Sequence, residues 1–296
     1  MARISLMSRN RFVMANNQAN LGRVTDLQDQ LSSGRRVRTI SDDPIPARRA
    51  LGFRVDQFRG ERFLINIERS DSFLQVNDTS LTEMNNLLAG VKEIAVEGAN
   101  GTLDPASRRA LADSVDAHLT RLIDLANTSS NGRFIFAGTA VSDKPFVLNT
   151  AGTQVEYRGN LDDFEVNISA TERAALNQNG FRMFKESVDV FEVLIDLRDA
   201  LQSDDPESVG ELIDAVDTAQ SHIGTLQGET GARLQRLDLT KRQLEEFDLQ
   251  LSELISAEID VDMTEAILKL QVSQVALEAG LQTSARVLQP TLLDFL

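Results

Sequence analysis

The side chains that most often perform chemistry in proteins are scarce in this chain of 296 residues. It contains no tryptophan, one tyrosine and two histidines. It also contains no cysteine, which excludes disulfides, thiolate metal sites, iron–sulfur clusters and thiol nucleophiles. His118 stands on a helical apolar pattern without a second ligand nearby, and His222 is equally isolated. We therefore interpret both as surface or boundary histidines rather than as bases or metal ligands.

Adjacent carboxylates occur, but adjacency alone does not make a site. Glu245 stands beside Glu246, and Asp260 lies two residues before Asp262. The chain has no phosphate-binding loop, no dinucleotide-binding glycine motif, no nucleophile elbow and no paired-histidine zinc motif. The sequence therefore predicts no enzyme activity, no cofactor and no metal.

The charge distribution narrows the class of partner. The chain has 30 basic and 45 acidic side chains, a formal net charge of −15, which argues against binding to nucleic acid or to anionic membranes. Residues 1–69 carry 13 arginines and 7 acids, whereas residues 235–296 carry 5 basic and 11 acidic residues. These net charges of +6 and −6 favour two terminal segments lying side by side, and the alternative is two solvated helix faces.

Membrane insertion and a cleaved leader are not expected. No apolar run approaches the roughly 18 residues that span a bilayer. The N-terminus lacks the apolar region and the small-residue cleavage site of a secretory signal.

Three helix-start signals in the sequence mark the beginnings of long helices. An acid followed by proline occurs at Asp43-Pro44, within Ser41-Asp42-Asp43-Pro44, at Asp104-Pro105 and at Asp205-Pro206, and predicts helices over roughly 44–98, 105–128 and 206–255. We interpret Asp42 and Asp43 as capping residues, because no third metal ligand follows at a useful spacing.

Both chain ends have the apolar spacing of amphipathic helices. Gly34 predicts the end of the first. Between residues 223 and 254, apolar residues keep a heptad-like register that Thr230, Arg233 and Thr240 interrupt. In the last helix Gln274 and Ser284 are the polar interruptions.

The pattern changes to strands between about 131 and 170. Residues 133–138 predict a short strand, residues 145–148 and 154–157 flank a hairpin loop at 149–152, and residues 164–168 alternate as a half-buried strand.

The fold class expected is mainly α with a small β insert. Both chain termini would form a long antiparallel helical bundle or coiled coil, and the central part of the sequence would form a β-rich outer domain. We predict terminal arms at 1–40 and 256–296, a discontinuous rod at 41–130 and 185–255, and the β-rich outer domain at 131–184.

Two sequence segments resemble the arms of a known family. Leu31-Ser32-Ser33-Gly34-Arg35-Arg36-Val37, followed by Ser41-Asp42-Asp43-Pro44, resembles the N-terminal arm of the bacterial flagellin superfamily. Asp262-Met263-Thr264-Glu265-Ala266-Ile267 resembles its C-terminal arm. Pro44, and Asn131-Gly132-Arg133-Phe134-Ile135-Phe136-Ala137-Gly138-Thr139, are closer to its hook–filament junction members, the hook-associated proteins, than to flagellin. The resemblance covers about 1–140 and 215–296.

The resemblance implies a non-enzymatic structural protein of the extracellular flagellum. It implies secretion, unfolded, through the flagellar type III export apparatus without a cleaved signal. The implied partners are further copies in a ring or helical layer, the neighbouring hook-associated protein, flagellin, and a flagellar export chaperone on the C-terminal arm. A flagellin filament subunit is the alternative of the same class, and a helical signalling or adaptor module is the alternative of another class.

Assembly contacts are predicted from the apolar stripes of the two arms. Interrupted stripes of this kind are only partly satisfied in a monomer, so neighbouring copies would complete their burial. The alternative is packing of the same residues within one chain. The predicted contacts are Ile4, Met7, Met14, Leu21, Met263, Ile267, Leu270, Leu277, Leu281 and Leu288.

Overall fold

A computed structural model describes residues 6–130, 132–163, 165–175 and 179–288, with side chains described from 11 to 285 within those ranges. The helices are α1 (Leu6–Ser33), α2 (Pro44–Gly98), α3 (Pro105–Ala126), α4 (Val190–Gln202), α5 (Pro206–Ile259) and α6 (Met263–Leu288), with a π-helix at Arg182–Glu186. The strands are β1 (Ser129–Ser130), β2 (Arg133–Phe134), β3 (Phe146–Leu148), β4 (Val155–Tyr157), β5 (Glu165–Asn167) and β6 (Arg173–Ala175). The expected fold class, mainly α with a small β insert, is confirmed.

The chain divides into two compact units. The terminal unit comprises Met1–Arg59 and Phe247–Leu296, and the central unit comprises Gly60–Glu246. Helices α2 and α5 contribute residues to both units, and all six strands lie in the central unit. The finer division into terminal arms, rod and outer domain stays a prediction.

The acid–proline pairs predict the helix starts correctly, but the prediction that Asp42 caps α2 is wrong. Asp104 Oδ1 accepts hydrogen bonds from the N–H groups of Ala106 and Ser107, both at 3.0 Å, and Asp205 caps α5 in the same way. At α2, by contrast, the carboxylate of Asp42 accepts from the N–H groups of residues that precede it. The predicted cap at Asp42 is therefore wrong, because the loop before α2 turns back to use that carboxylate.

Two of the three polar residues that interrupt the α5 register are part of its buried face, whereas Arg233 is exposed. Thr230 is fully buried and Thr240 is 8% exposed. Each hydroxyl donates to the carbonyl four residues earlier, on Leu226 and Arg236 respectively, which satisfies the buried oxygen without a partner helix. Within the apolar register, Phe247 and Leu254 are exposed instead of buried.

The strands form three separate antiparallel pairs, β1–β2, β3–β4 and β5–β6. The predicted hairpin is confirmed, with Phe146 opposite Tyr157 and Leu148 opposite Val155. The strand expected over 133–138 ends at Phe134, where the chain enters a turn, and Gly138 has a φ of +65° in a further turn. Phe164 of the expected 164–168 strand lies outside the described residues.

The core of the central unit joins the β3–β4 hairpin to helices α3 and α4. Phe146 is 1% exposed, and its ring centroid lies 5.1 Å from that of Phe191 on α4 and 5.7 Å from that of Phe184. Asn127, at the end of α3, donates to the Phe146 carbonyl at 2.8 Å and accepts from the Phe146 N–H at 2.9 Å. The hairpin therefore belongs to the same hydrophobic core as the helices.

Two buried arginines fix the loops of the central unit. Arg108 donates to the carbonyls of Gly98 and Asn100, both at 3.1 Å, and pairs with Asp204. Arg198 pairs with Asp116 at 3.1 Å and donates to the Gly152 carbonyl, in the β3–β4 turn, at 2.9 Å. These bonds satisfy carbonyls that the ends of helix and hairpin leave free.

Candidate functional site

The loop between α1 and α2 holds the junction between α5 and α6. Gly34, with a φ of +70°, ends α1 and turns the chain toward α5. The N–H of Arg36 donates to the Ile259 carbonyl at 2.7 Å, and the N–H of Val261 donates back to the Gly34 carbonyl at 3.0 Å. The Arg36 guanidinium also donates to the Glu258 carbonyl at 2.7 Å. The N-terminal segment that carries the family resemblance therefore connects the end of α1 to the junction between α5 and α6.

Asp42 stabilises this loop by its charge. Its carboxylate accepts from the N–H groups of Thr39 at 2.8 Å and Arg38 at 2.9 Å. These bonds, the Thr39 bond first, hold the pKa of Asp42 below its usual value of 3.8.

We expect this contribution of Asp42 to depend on pH. Because the folded pKa lies below the unfolded pKa, the stabilisation is present above pH 3.8 and is lost as the pH falls through the folded pKa. The Asp42→Asn variant should therefore melt at a lower temperature than the unchanged chain at neutral pH. That difference should shrink as the pH falls below 3.8 through the folded pKa, where the Asp42 carboxylate becomes protonated, as followed by circular dichroism. A difference in melting temperature that is independent of pH would contradict this role.

Beyond this loop, α1 and α6 pack as an antiparallel pair whose inner surface combines small, polar and half-buried apolar side chains. The most buried side chains are Val24, Ala266 and Ser284, at 3–8% exposure. Asn17 donates to the Ser284 hydroxyl at 2.7 Å, and a Cβ on Gly280 would lie 2.6 Å from Asn17 Oδ1. Ser284 therefore lies inside the helix pair instead of interrupting its apolar stripe, whereas Gln274 is exposed.

Many apolar side chains of this pair face outward. An open groove of about 600 Å³ on α1 and α6 is lined in part by Leu27, Leu268 and Val272. Single exposed apolar residues are ordinary on protein surfaces, but a concentration on two helices marks an interaction surface. We call the following set the terminal apolar surface, whose members are 45–70% exposed: Phe12, Met14, Leu21, Met263, Ile267, Leu268, Val272, Val275 and Leu281.

The predicted assembly contacts fall into three groups. Met14, Leu21, Met263, Ile267 and Leu281 belong to the terminal apolar surface. Leu270 and Leu277 are half-buried, on the helix face that includes Ala266 and Ser284. Ile4, and the side chains of Met7 and Leu288, lie outside the described residues.

The sequence reasoning missed four members of the terminal apolar surface. Phe12, Leu268, Val272 and Val275 were not among the predicted contacts, yet each is at least 58% exposed. The signal was a second apolar row on α6, with Leu268, Val272 and Val275 spaced by four and three residues.

The two histidines lie on different helices, His118 on α3 and His222 on α5. His222 Nε2 lies 2.7 Å from the Met183 carbonyl, and His118 is half-buried on α3. In the part of the chain that the structure describes, no group of three histidine, aspartate or glutamate side chains is placed to hold a metal. Nor is any described helix both long and apolar enough to cross a bilayer.

Comparison with known proteins identifies the family. The bacterial flagellin N-terminal helical region matches residues 5–141. Flagellar hook-associated protein 3 of Escherichia coli is 23% identical, over 89% of this chain and 92% of that protein. Residues 5–141 therefore belong to the bacterial flagellin N-terminal helical family. Over most of its length the chain is similar to flagellar hook-associated protein 3.

Two further similarities agree with this comparison, one in fold and one in sequence. A solved structure of a putative flagellar hook-associated protein from Vibrio parahaemolyticus superposes with a TM-score of 0.68 at 19% identity, covering 74% of this chain and all of that one. The flagellar filament 33 kDa core protein of Treponema phagedenis is 26% identical over 89% of this chain and 88% of that protein. These similarities support a structural role in the flagellum and interaction with other flagellar components.

Proposed function

We propose that this chain joins the flagellar hook to the filament. Copies assemble into a ring or helical layer, with the other hook-associated protein on one side and flagellin on the other. The observation that carries this proposal is the terminal apolar surface, because nine apolar side chains of α1 and α6 stay exposed although the two helices pack on each other through Val24, Ala266 and Ser284.

Burial of this surface by neighbouring copies provides the driving force. Apolar surface contributes about 25 cal/mol per Å² when it is removed from water. Nine side chains at 45–70% exposure leave most of their area available for that contact. The proposed arms, 1–40 and 256–296, contain all nine, while the proposed rod and the β-rich outer domain present other surfaces.

The same surface accounts for the proposed export route and chaperone. An exposed apolar stripe is an aggregation hazard before assembly, so an export chaperone would cover the C-terminal arm in the cytoplasm. Segments that acquire much of their burial only on association suit passage as an unfolded chain through a narrow export channel. The extracellular position follows from that route.

A flagellin filament subunit is the alternative, favoured by the similarity to the Treponema phagedenis filament protein. The two functions differ in how far assembly proceeds. A filament subunit adds to other copies of itself without limit, whereas a junction layer contacts a different protein on each of its two sides.

Addition to filament seeds separates these functions. The purified chain, mixed with short flagellin filaments, should add at most one layer, as measured by electron microscopy of filament length. Flagellin from the same organism is the positive control. Continuous elongation by this chain would establish the filament subunit and contradict the junction role.

A deletion strain tests the junction in the cell. Its cells should carry hooks without filaments, and monomeric flagellin should accumulate in the medium. Filaments of normal length on the mutant cells would contradict the proposal.

A further inference from the structure

The first part of α2 carries an unpartnered stripe on the side opposite its buried face. Ala50 is 3% exposed in a cluster with Val37 and Ile259. On the other side of the helix, Leu51, Val55 and Phe58 are 54%, 43% and 64% exposed. Their spacing of four and three residues places them in one row. The exposed Arg48 and Arg59 lie along this row, and Arg59 also pairs with Asp56 of the same helix at 3.3 Å. We call these five residues the basic stripe.

The last part of α5 carries a second stripe of opposite sign. Leu251 and Ile259 are buried at 4% and 5% exposure. Leu249 is 66% exposed, and Glu253, one turn further along, is also exposed with no ion pair among the described residues. We call Leu249 and Glu253 the acidic stripe.

The charges of the two chain segments in the terminal unit are balanced. Residues 1–59 hold 11 arginines and 5 acids, a net charge of +6. Residues 247–296 hold 2 basic and 8 acidic residues, a net charge of −6. The terminal unit is therefore neutral, and the whole net charge of −15 belongs to residues 60–246. A neutral unit with two oppositely charged apolar stripes is suited to contact its own copies.

The two stripes of one chain point away from each other. Within the terminal unit, Gln57 donates to the Ser252 hydroxyl at 2.8 Å, and Arg49 pairs with Glu258 at 3.2 Å. Helices α2 and α5 thus pack through the faces opposite to their stripes. A chain cannot cover its own basic stripe with its own acidic stripe.

We propose that the basic stripe of one copy docks on the acidic stripe of the next. This inference rests on the self-assembly proposed above and adds which faces meet. The contact uses two different surfaces, so each added copy leaves one stripe of each kind free. Such a heterologous contact repeats into a ring or an open helical array instead of closing as a dimer.

Charge-reversal variants of the full chain test the pairing. Arg48→Glu with Arg59→Glu reverses the basic stripe, and Glu253→Arg reverses the acidic stripe. Each variant alone should raise the critical concentration for assembly about tenfold or more, because like charges then meet. An equimolar mixture should recover to within about threefold of the unchanged chain, because each reversed stripe finds a reversed partner.

The control for the basic-stripe variant has the same change in net charge at another part of the chain. Arg109→Glu with Arg133→Glu reverses two exposed arginines of the central unit and should leave the critical concentration unchanged. Critical concentrations are measured by sedimentation of assembled material.

Three outcomes would overturn the pairing. The first is unchanged assembly by the stripe variants, and the second is a mixture that does not recover. In the third, anionic phosphatidylglycerol vesicles bind the unchanged chain but not the Arg48→Glu/Arg59→Glu variant, and that variant assembles normally. This result would show that the basic stripe binds a membrane surface instead of another copy. Failure of the unchanged chain to assemble under any condition would instead overturn the self-assembly on which the pairing rests.

Discussion

Replacing Leu281 by Asp is expected to stop assembly while the isolated chain stays folded. Leu281 is 53% exposed, so the change removes little packing within the monomer, and its free energy of unfolding should change by less than about 0.5 kcal/mol. In a neighbour's apolar contact the carboxylate would be desolvated and the leucine burial lost. We expect the critical concentration to rise about 100-fold, equivalent to about 2.7 kcal/mol.

Two companion variants make this result specific. Gln282→Asp introduces the same charge at the adjacent exposed position, outside the terminal apolar surface, and should assemble almost normally. Leu277→Asp changes a half-buried residue, and should weaken both assembly and the α1–α6 pair, lowering the helical circular dichroism of the monomer. Normal incorporation of Leu281→Asp into flagella, with normal motility, would contradict the role of the terminal apolar surface.

Replacing Phe146 by Ala is expected to destabilise the whole central unit, not only the hairpin that carries it. Phe146 is 1% exposed and contacts Tyr157, Phe184 and Phe191, with ring centroids 5.1–5.7 Å away. Phenylalanine-to-alanine changes in such a core cost about 3–5 kcal/mol. Hydrogen exchange should show that α3, α4 and β3–β4 lose protection together.

This experiment also bears on the predicted domain boundaries. The surface variant Leu161→Ala, at a position that is 59% exposed in the same β-rich stretch, should change stability by less than about 0.5 kcal/mol. If Phe146→Ala removed protection from the hairpin while α3 and α4 kept theirs, residues 131–184 would behave as the independent outer domain that the sequence predicts.

Helix boundaries were readable from the sequence because their signals are local. The acid–proline pairs predicted starts at Pro44, Pro105 and Pro206, and all three are confirmed. Gly34 likewise ends α1, since glycine adopts the positive φ of that turn without strain. The α3 end lies at Ala126 instead of the expected 128, and α5 extends to Ile259 instead of 255. Helix ends depend on contacts outside the helix, such as the bonds from Arg36 and Val37 to the Ile259 carbonyl.

The sequence by itself determined the fold class, the family and the two terminal helices, because periodicity, capping residues and motifs act over a few neighbouring residues. Only the tertiary structure decided which face of each helix is inside. Ser284 and Thr230 are buried, whereas Leu281 and Phe58 are exposed, contrary to a simple apolar rule. The reason is that close packing of α1 on α6 needs small side chains, and that a buried hydroxyl is satisfied by a carbonyl of its own helix. Whether a side chain is buried depends on the surface that packs against it, and a local sequence pattern carries no information about that surface.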